Sequence, residues 1–356
     1  MSVASLASIF SDQPRSLRAT VLGLALVIGA ANLLAWFWAL AAFHEYPVLL
    51  GTAFLAYGFG LRHAVDADHI AAIDNATRKL MQEGKRPAAL GFYFALGHST
   101  VVVVAAIAVA ATAGWLRQDF PRLQEVGGLV GTGISALFLL AVAIVNLFIF
   151  AAVWKSFRRV RAGEKLDESE LDTLLTGQGF LARLFRPLFR LVTRSWHMFA
   201  VGLLFGLGFD TATEIGLLGI AASEAAHGLS LWATLVFPAL FTAGMCLIDA
   251  TDSVLMVGAY GWALAKPARK LYYNLTITFA SVVVALLIGS VELVGIAIEK
   301  LSLTGPVWSA IGALNDNFGS LGYVILAIFI LSWLGSMVIY RLKGYGALDI
   351  EAEAAQ

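Results

Sequence analysis

The hydrophobic positions of this chain gather into long blocks separated by short polar stretches. Eight blocks reach roughly 20 residues, the length a helix needs to cross the hydrocarbon core of a bilayer. They fall at about 17–43, 48–75, 88–115, 126–154, 198–222, 231–263, 271–298 and 321–340. The pattern predicts an all-α polytopic membrane protein with eight transmembrane helices. One polar stretch is long, residues 155–195, with an acidic run from Glu164 to Asp172 and a basic close at Arg183, Arg186, Arg190 and Arg194. The chain reads as a single membrane domain, 1–356. Its expected cytoplasmic segments are 1–16, the loop 155–195 and the tail 344–356.

Basic residues orient these blocks. With the N-terminus inside, the cytoplasmic segments hold Arg15 and Arg18; Arg78, Lys79, Lys85 and Arg86; the 155–195 loop; Lys266, Arg269 and Lys270; and Arg341 and Lys343. The opposite side keeps Arg117, Arg122 and Lys300. The bias has one sign at every crossing, as the positive-inside rule requires. Both termini are therefore expected on the cytoplasmic face of the cytoplasmic membrane.

Composition agrees: 59% of the residues are hydrophobic, 13% are charged, and the mean hydropathy is +0.81. Net charge is zero, which gives no reason to expect a nucleic-acid partner. The single cysteine, Cys246, excludes an intrachain disulfide and a multi-thiolate metal site. The first block is too long for a signal-peptide core. No phosphate-binding Gly loop with its Lys is present, so ATP hydrolysis by this chain is not expected.

Against this background the stretch Arg62-His63-Ala64-Val65-Asp66-Ala67-Asp68-His69-Ile70 stands out. Ionisable groups inside a membrane are expensive and mark functional sites. Imidazole with carboxylate suits a borderline divalent metal. On a straight helix at about 100° per residue, His63, Asp66 and His69 fan over roughly 120°, and Asp68 points nearly the other way. All four converge only if the helix is broken, and Gly58 and Gly60 mark a place for a break. The plainer alternative is mutual neutralisation of Arg62 and Asp66 at i,i+4, with each His bonding a neighbouring helix. One Arg, however, does not satisfy two His and two Asp.

Three further groups could join this cluster. His98 lies in Gly97-His98-Ser99-Thr100 of the third block. Asp210, Thr213 and Glu214 share one face of the fifth block. Met245, Asp249 and Asp252 share one face of the sixth, where the alternative role for either Asp is to cap a half-helix. Glu292 is an isolated acid in the seventh block, a hydrogen-bonding residue or a proton relay.

The chain also echoes itself. Residues 59–70 lie over 205–216, pairing Asp68 with Glu214, and 94–99 lie over 241–246. The matched blocks run in opposite directions. This is the pattern of an inverted repeat, which places a substrate site near the midplane at interrupted helices.

Four motifs in this order resemble the nickel/cobalt transporter (NiCoT) family. They are Arg62-His63-Ala64-Val65-Asp66-Ala67-Asp68-His69-Ile70, residues 94–102 around His98, Leu207-Gly208-Phe209-Asp210-Thr211-Ala212-Thr213-Glu214, and residues 244–253 with Asp249 and Asp252. The His-x4-Asp-His pattern of the first is the family signature. Ala250 and Ser253 stand where Thr and Gly are usual, which alters local geometry without removing a ligand. The resemblance covers about residues 15–345. It implies high-affinity uptake of Ni²⁺ or Co²⁺, carried as substrate with no catalytic cofactor, by a secondary transporter that is not an enzyme. The expected metal-holding residues are His63, Asp66, Asp68, His69 and His98. Arg62, Asp210, Thr213, Glu214, Met245, Asp249 and Asp252 would balance charge or line the pathway. The family signature has a hydrophobic residue after His-Ala, here Val65; a smaller side chain at that position mildly suggests nickel over cobalt. The alternatives are an exporter of the same ions and an intramembrane metal-dependent enzyme. The latter lacks a His-Glu-x-x-His pattern.

Overall fold

The computed structural model describes residues 12, 17–111, 120–161, 192–208, 212–263 and 267–342. Asp210, the middle of the 155–195 loop, most of the N-terminal segment and the C-terminal tail lie outside the described residues. Among the described residues all regular structure is helical. The helices are α1 (Leu17–Phe43), α2 (Pro47–His63), α3 (Ala67–Gln82), α4 (Leu90–Ala111), α5 (Phe120–Arg161) and α6 (His197–Phe205). They continue with α7 (Ala212–Ala226), α8 (Leu231–Thr234), α9 (Val236–Ala263), α10 (Pro267–Leu301), α11 (Pro306–Asp316) and α12 (Phe318–Leu342). Five helices are long and apolar enough to cross a membrane, or up to seven if each of two bent pairs counts as one span. This is a multi-pass helical membrane protein.

The second block folds as α2 and α3, bent by 51° at residues 64–66. The break contains neither Gly nor Pro. Two tight backbone bonds close the end of α2, Val65 N–H to Arg62 O and Asp66 N–H to His63 O. Asp66 then turns extended, with ψ 150°, and starts α3. The expected break at Gly58 and Gly60 is not where the chain bends. Gly60 serves close packing instead: a Cβ there would lie 2.1 Å from the Phe241 carbonyl oxygen on α9. Gly244 of α9 answers it, its added Cβ falling 2.8 Å from the Tyr57 carbonyl oxygen on α2. The same device joins α4 to α6, where added Cβ atoms on Gly97 and Gly202 would meet the carbonyl oxygens of Phe199 and Phe94. Backbones that approach this closely gain dispersion contact without a hydrophobic driving force between helices.

The fifth block is also interrupted. Helix α6 ends at Phe205, a turn runs through Leu207 and Gly208, and α7 resumes at Ala212. Two boundaries differ from the hydropathy reading. Helix α5 is 42 residues long and runs past the apolar block at both ends, from Phe120 to Arg161. Helix α11 lies outside every expected span and meets α12 at 74°.

Helix α9 packs against α1, α2, α3 and α4 and forms the centre of the bundle, while α5 and α10 run along each other. Met245 and Cys246 are buried in the main apolar cluster beside Phe237 and Phe241. Polar residues pair at the helix ends. Asp12 accepts from Ser195 N–H at 2.8 Å and receives Arg86 N–H on its carbonyl at 3.1 Å. Lys85 donates to Thr193 O at 2.8 Å. At other helix ends Lys300 pairs with Glu125 at 2.7 Å. Arg78 departs from the charge reading, which set it in a cytoplasmic connector. It is 1% exposed, inside the bundle on α3.

Candidate metal centre

The break between α2 and α3 brings His63, at the end of α2, next to His69, in the first turn of α3. His98 enters from α4. Their ring centroids lie 4.7, 4.7 and 4.9 Å apart, and one ligand nitrogen from each falls within 4.8 Å of the others. All three are buried. His63 Nε2 and His98 Nε2 are 2.9 Å apart. With metal–nitrogen bonds of about 2.0–2.1 Å, two nitrogens at that separation subtend about 90° at a shared ion. That is a right-angled edge of a square-planar or octahedral site.

Each imidazole has an oxygen partner. His63 Nδ1 lies 3.3 Å from Asp66 Oδ2 and 3.2 Å from Thr213 Oγ1. His69 Nδ1 lies 3.3 Å from Asp249 Oδ2, with both side chains fully buried. His98 Nε2 lies 2.9 Å from Glu214 Oε1, which is 3.9 Å from His63 Nε2. Asp66 and Asp249 meet their rings on Nδ1, and a carboxylate there fixes the tautomer and aim of Nε2; Glu214 instead meets the His98 nitrogen that faces His63. His69 Nε2 and His98 Nδ1 are buried with no hydrogen-bond partner. Buried ring nitrogens left this way call for a ligand, because desolvation without a bond is costly. The aromatic rings of Phe94 and Phe241 close the cluster at 4.8 Å from His69 and 5.6 Å from His63.

The other residues singled out in the sequence fall as follows. Arg62 is half-exposed and donates to Asp66 Oδ1 at 3.2 Å, so the i,i+4 pair does form. Asp68 is half-buried in the first turn of α3, and its Oδ1 accepts from His69 N–H at 2.9 Å. One Asp68 oxygen is thus turned to the backbone at the start of α3. Met245 packs in the apolar cluster. Asp252 is buried one turn after Asp249. Helix α9 runs without a break through both acids, so neither caps a half-helix. Glu292 accepts from Ser135 Oγ at 3.0 and 3.1 Å and ties α10 to α5.

Sequence reasoning missed a second polar group farther along α3. Asp74, fully buried, accepts from Tyr260 Oη and from Ser281 Oγ at 2.7 Å. Arg78 donates to Thr278 Oγ1 at 2.8 Å and to Asn75 Oδ1 at 3.3 Å, and Asn146 donates to the same oxygen at 2.5 Å. This network joins α3 to α5, α9 and α10. The i,i+4 pair Asp74/Arg78 inside Ile70–Met81 was its one visible sign.

Fold and site together define a helical multi-pass membrane protein whose polar centre is a buried histidine–carboxylate cluster. Residues 49–339 match the family described as high-affinity nickel-transport protein, NicO. A high-affinity nickel transport protein of Cupriavidus necator is 56% identical over 335 residues, 94% of this chain and 95% of the relative. The hydrogenase nickel incorporation protein HupN of Bradyrhizobium diazoefficiens is 54% identical over 342 residues, 95% and 90%. The cobalt transport protein NhlF of Rhodococcus rhodochrous is 44% identical over 301 residues, 83% and 84%. No solved structure matches. The chain belongs to the NicO family of high-affinity nickel-transport proteins.

Proposed function

We propose that this chain is a secondary transporter that takes up Ni²⁺, Co²⁺ or both across the cytoplasmic membrane. His63, His69 and His98 hold the ion as neutral imidazoles, with Asp66 and Asp68 as ligands or orienting partners. Glu214 and Asp249 back the cluster and offset charge, together with Asp210. The single observation that carries the reading is the meeting of three buried imidazoles with two unpartnered ring nitrogens among them. The names of the relatives support nickel or cobalt as the ion.

The eight-span topology with both termini inside is part of this proposal. It is supported by the contacts of Asp12, Lys85 and Arg86 with residues 193–195, all assigned to the cytoplasmic face. The inverted repeat is supported by the paired interruptions after His63 and Phe205 and by reciprocal glycine contacts of α2 with α9 and α4 with α6. Inward movement of a 2+ ion gains about 4.6 kcal/mol per 100 mV, twice the single-charge value, so the membrane potential suffices as driving force.

Accumulation of radioactive nickel and cobalt by cells expressing the parent and His63→Ala tests this. The parent should raise accumulation and the variant should not. Lowered accumulation with the parent would indicate export. Turnover of a substrate without net ion movement would indicate an enzyme.

A further inference from the structure

We infer that Asp252 is a second station for the transported divalent cation, reached after the histidine cluster on the way to the C-terminal end of α3. The inference rests on the transport reading above and extends it to a residue beyond the cluster.

Buried acids in this bundle normally have a donor. Asp66 has Arg62, Asp74 has Tyr260 and Ser281, Glu214 has His98, Asp249 has His69, and Glu292 has Ser135. Asp252 is the exception among the described residues. It is 7% exposed, and neither of its carboxylate oxygens has a hydrogen-bond partner. The charges acting on it are those of two other acids, Asp249 and Asp74. A carboxylate without a donor and near two acids is costly to bury as the anion, and an arriving cation offsets that cost.

Its place fits a path. Asp252 follows Asp249 by about 4.5 Å of helix rise. Farther along α9, Tyr260 bonds Asp74 of α3. Helices α3 and α9 therefore run side by side in the same direction, from the His69–Asp249 contact to the Asp74–Tyr260 contact. Asp252 lies between these two contacts. A structural role does not explain the residue, since it is mid-helix and ties nothing together. A divalent transition metal that leaves the imidazoles with part of its hydration shell meets here an oxygen donor already stripped of water. Carboxylate binds such an ion more weakly than imidazole does, which suits release.

The test uses Asp252→Asn and Asp252→Ser in the full chain, with Ni²⁺ as the probe. Purified variants should bind nickel at equilibrium as the parent does, because the histidine cluster is intact. Uptake into proteoliposomes should fall about tenfold or more, a barrier effect separate from binding. Their melting temperature should equal or exceed that of the parent, since a buried acid that bonds to nothing has been removed. Parent-like uptake would overturn the inference, as would loss of binding together with uptake, or a lowered melting temperature. His63→Ala is the control: if that variant still binds nickel, the histidine reading itself fails, whatever the Asp252 variants do.

Discussion

Asp249 offers the sharpest test of how the cluster is aimed. Its Oδ2 lies 3.3 Å from His69 Nδ1, and both side chains are fully buried. The ring nitrogen on the far side, Nε2, has no partner. Asp249→Ala removes the acceptor that His69 Nδ1 has among the described residues and leaves room for the ring to turn, so either nitrogen can face the cluster. Removing such a backing group costs about 10–100-fold in metal affinity, or roughly 1.4–2.7 kcal/mol. Asp249→Asn keeps an amide oxygen that accepts from Nδ1–H but loses the charge. The Ala variant should therefore fall near the upper figure and the Asn variant near the lower. Equilibrium dialysis of purified protein against radioactive nickel measures both. Parent-like affinity in Asp249→Ala, or weaker binding in Asn than in Ala, would refute the claim that this carboxylate orients His69.

Three more outcomes follow from the same geometry. Nickel binding should decline as pH falls from about 7.5 to about 5, because an imidazole must shed its proton to bind metal; a flat binding curve across that range contradicts imidazole ligation. Gly60→Ala should lower the melting temperature, at a cost of about 1–3 kcal/mol, because its methyl group would press on the Phe241 carbonyl; an unchanged melting temperature would show that α2 and α9 separate freely. Asp74→Ala should destabilise by about 1–3 kcal/mol for each hydroxyl left without an acceptor, and the restored stability of a Tyr260→Phe, Ser281→Ala background would locate the loss in those two bonds.

Much of this architecture was legible from hydropathy, and the reasons for the exceptions are local. The spans at 17–43 and 88–115 contain helices at nearly those positions, because uniform apolarity leaves a helix no alternative in a bilayer. His63 and His69 were visible as a pair, since charged density inside an apolar block is a strong signal. Their true relation was not, because the bend at residues 64–66 uses no breaker residue and sits where the α12 backbone at Gly322 comes close to Val65, a contact that only the tertiary structure shows. Gly60 looked like a hinge and is a contact, a distinction that depends on the partner helix. Arg78 was placed in a connector because basic residues near a span end usually are. Only tertiary structure shows the hydroxyl and amide groups that let it stay inside.

The lone thiol has a practical side. Cys246 sits on α9 with its sulfur sheltered by the apolar cluster, and the chain has no other cysteine. Nature has thus supplied a nearly silent background for maleimide or spin-label chemistry. A cysteine introduced at an exposed position such as Val48 or Leu314 would carry almost all the signal, with Cys246 left in place.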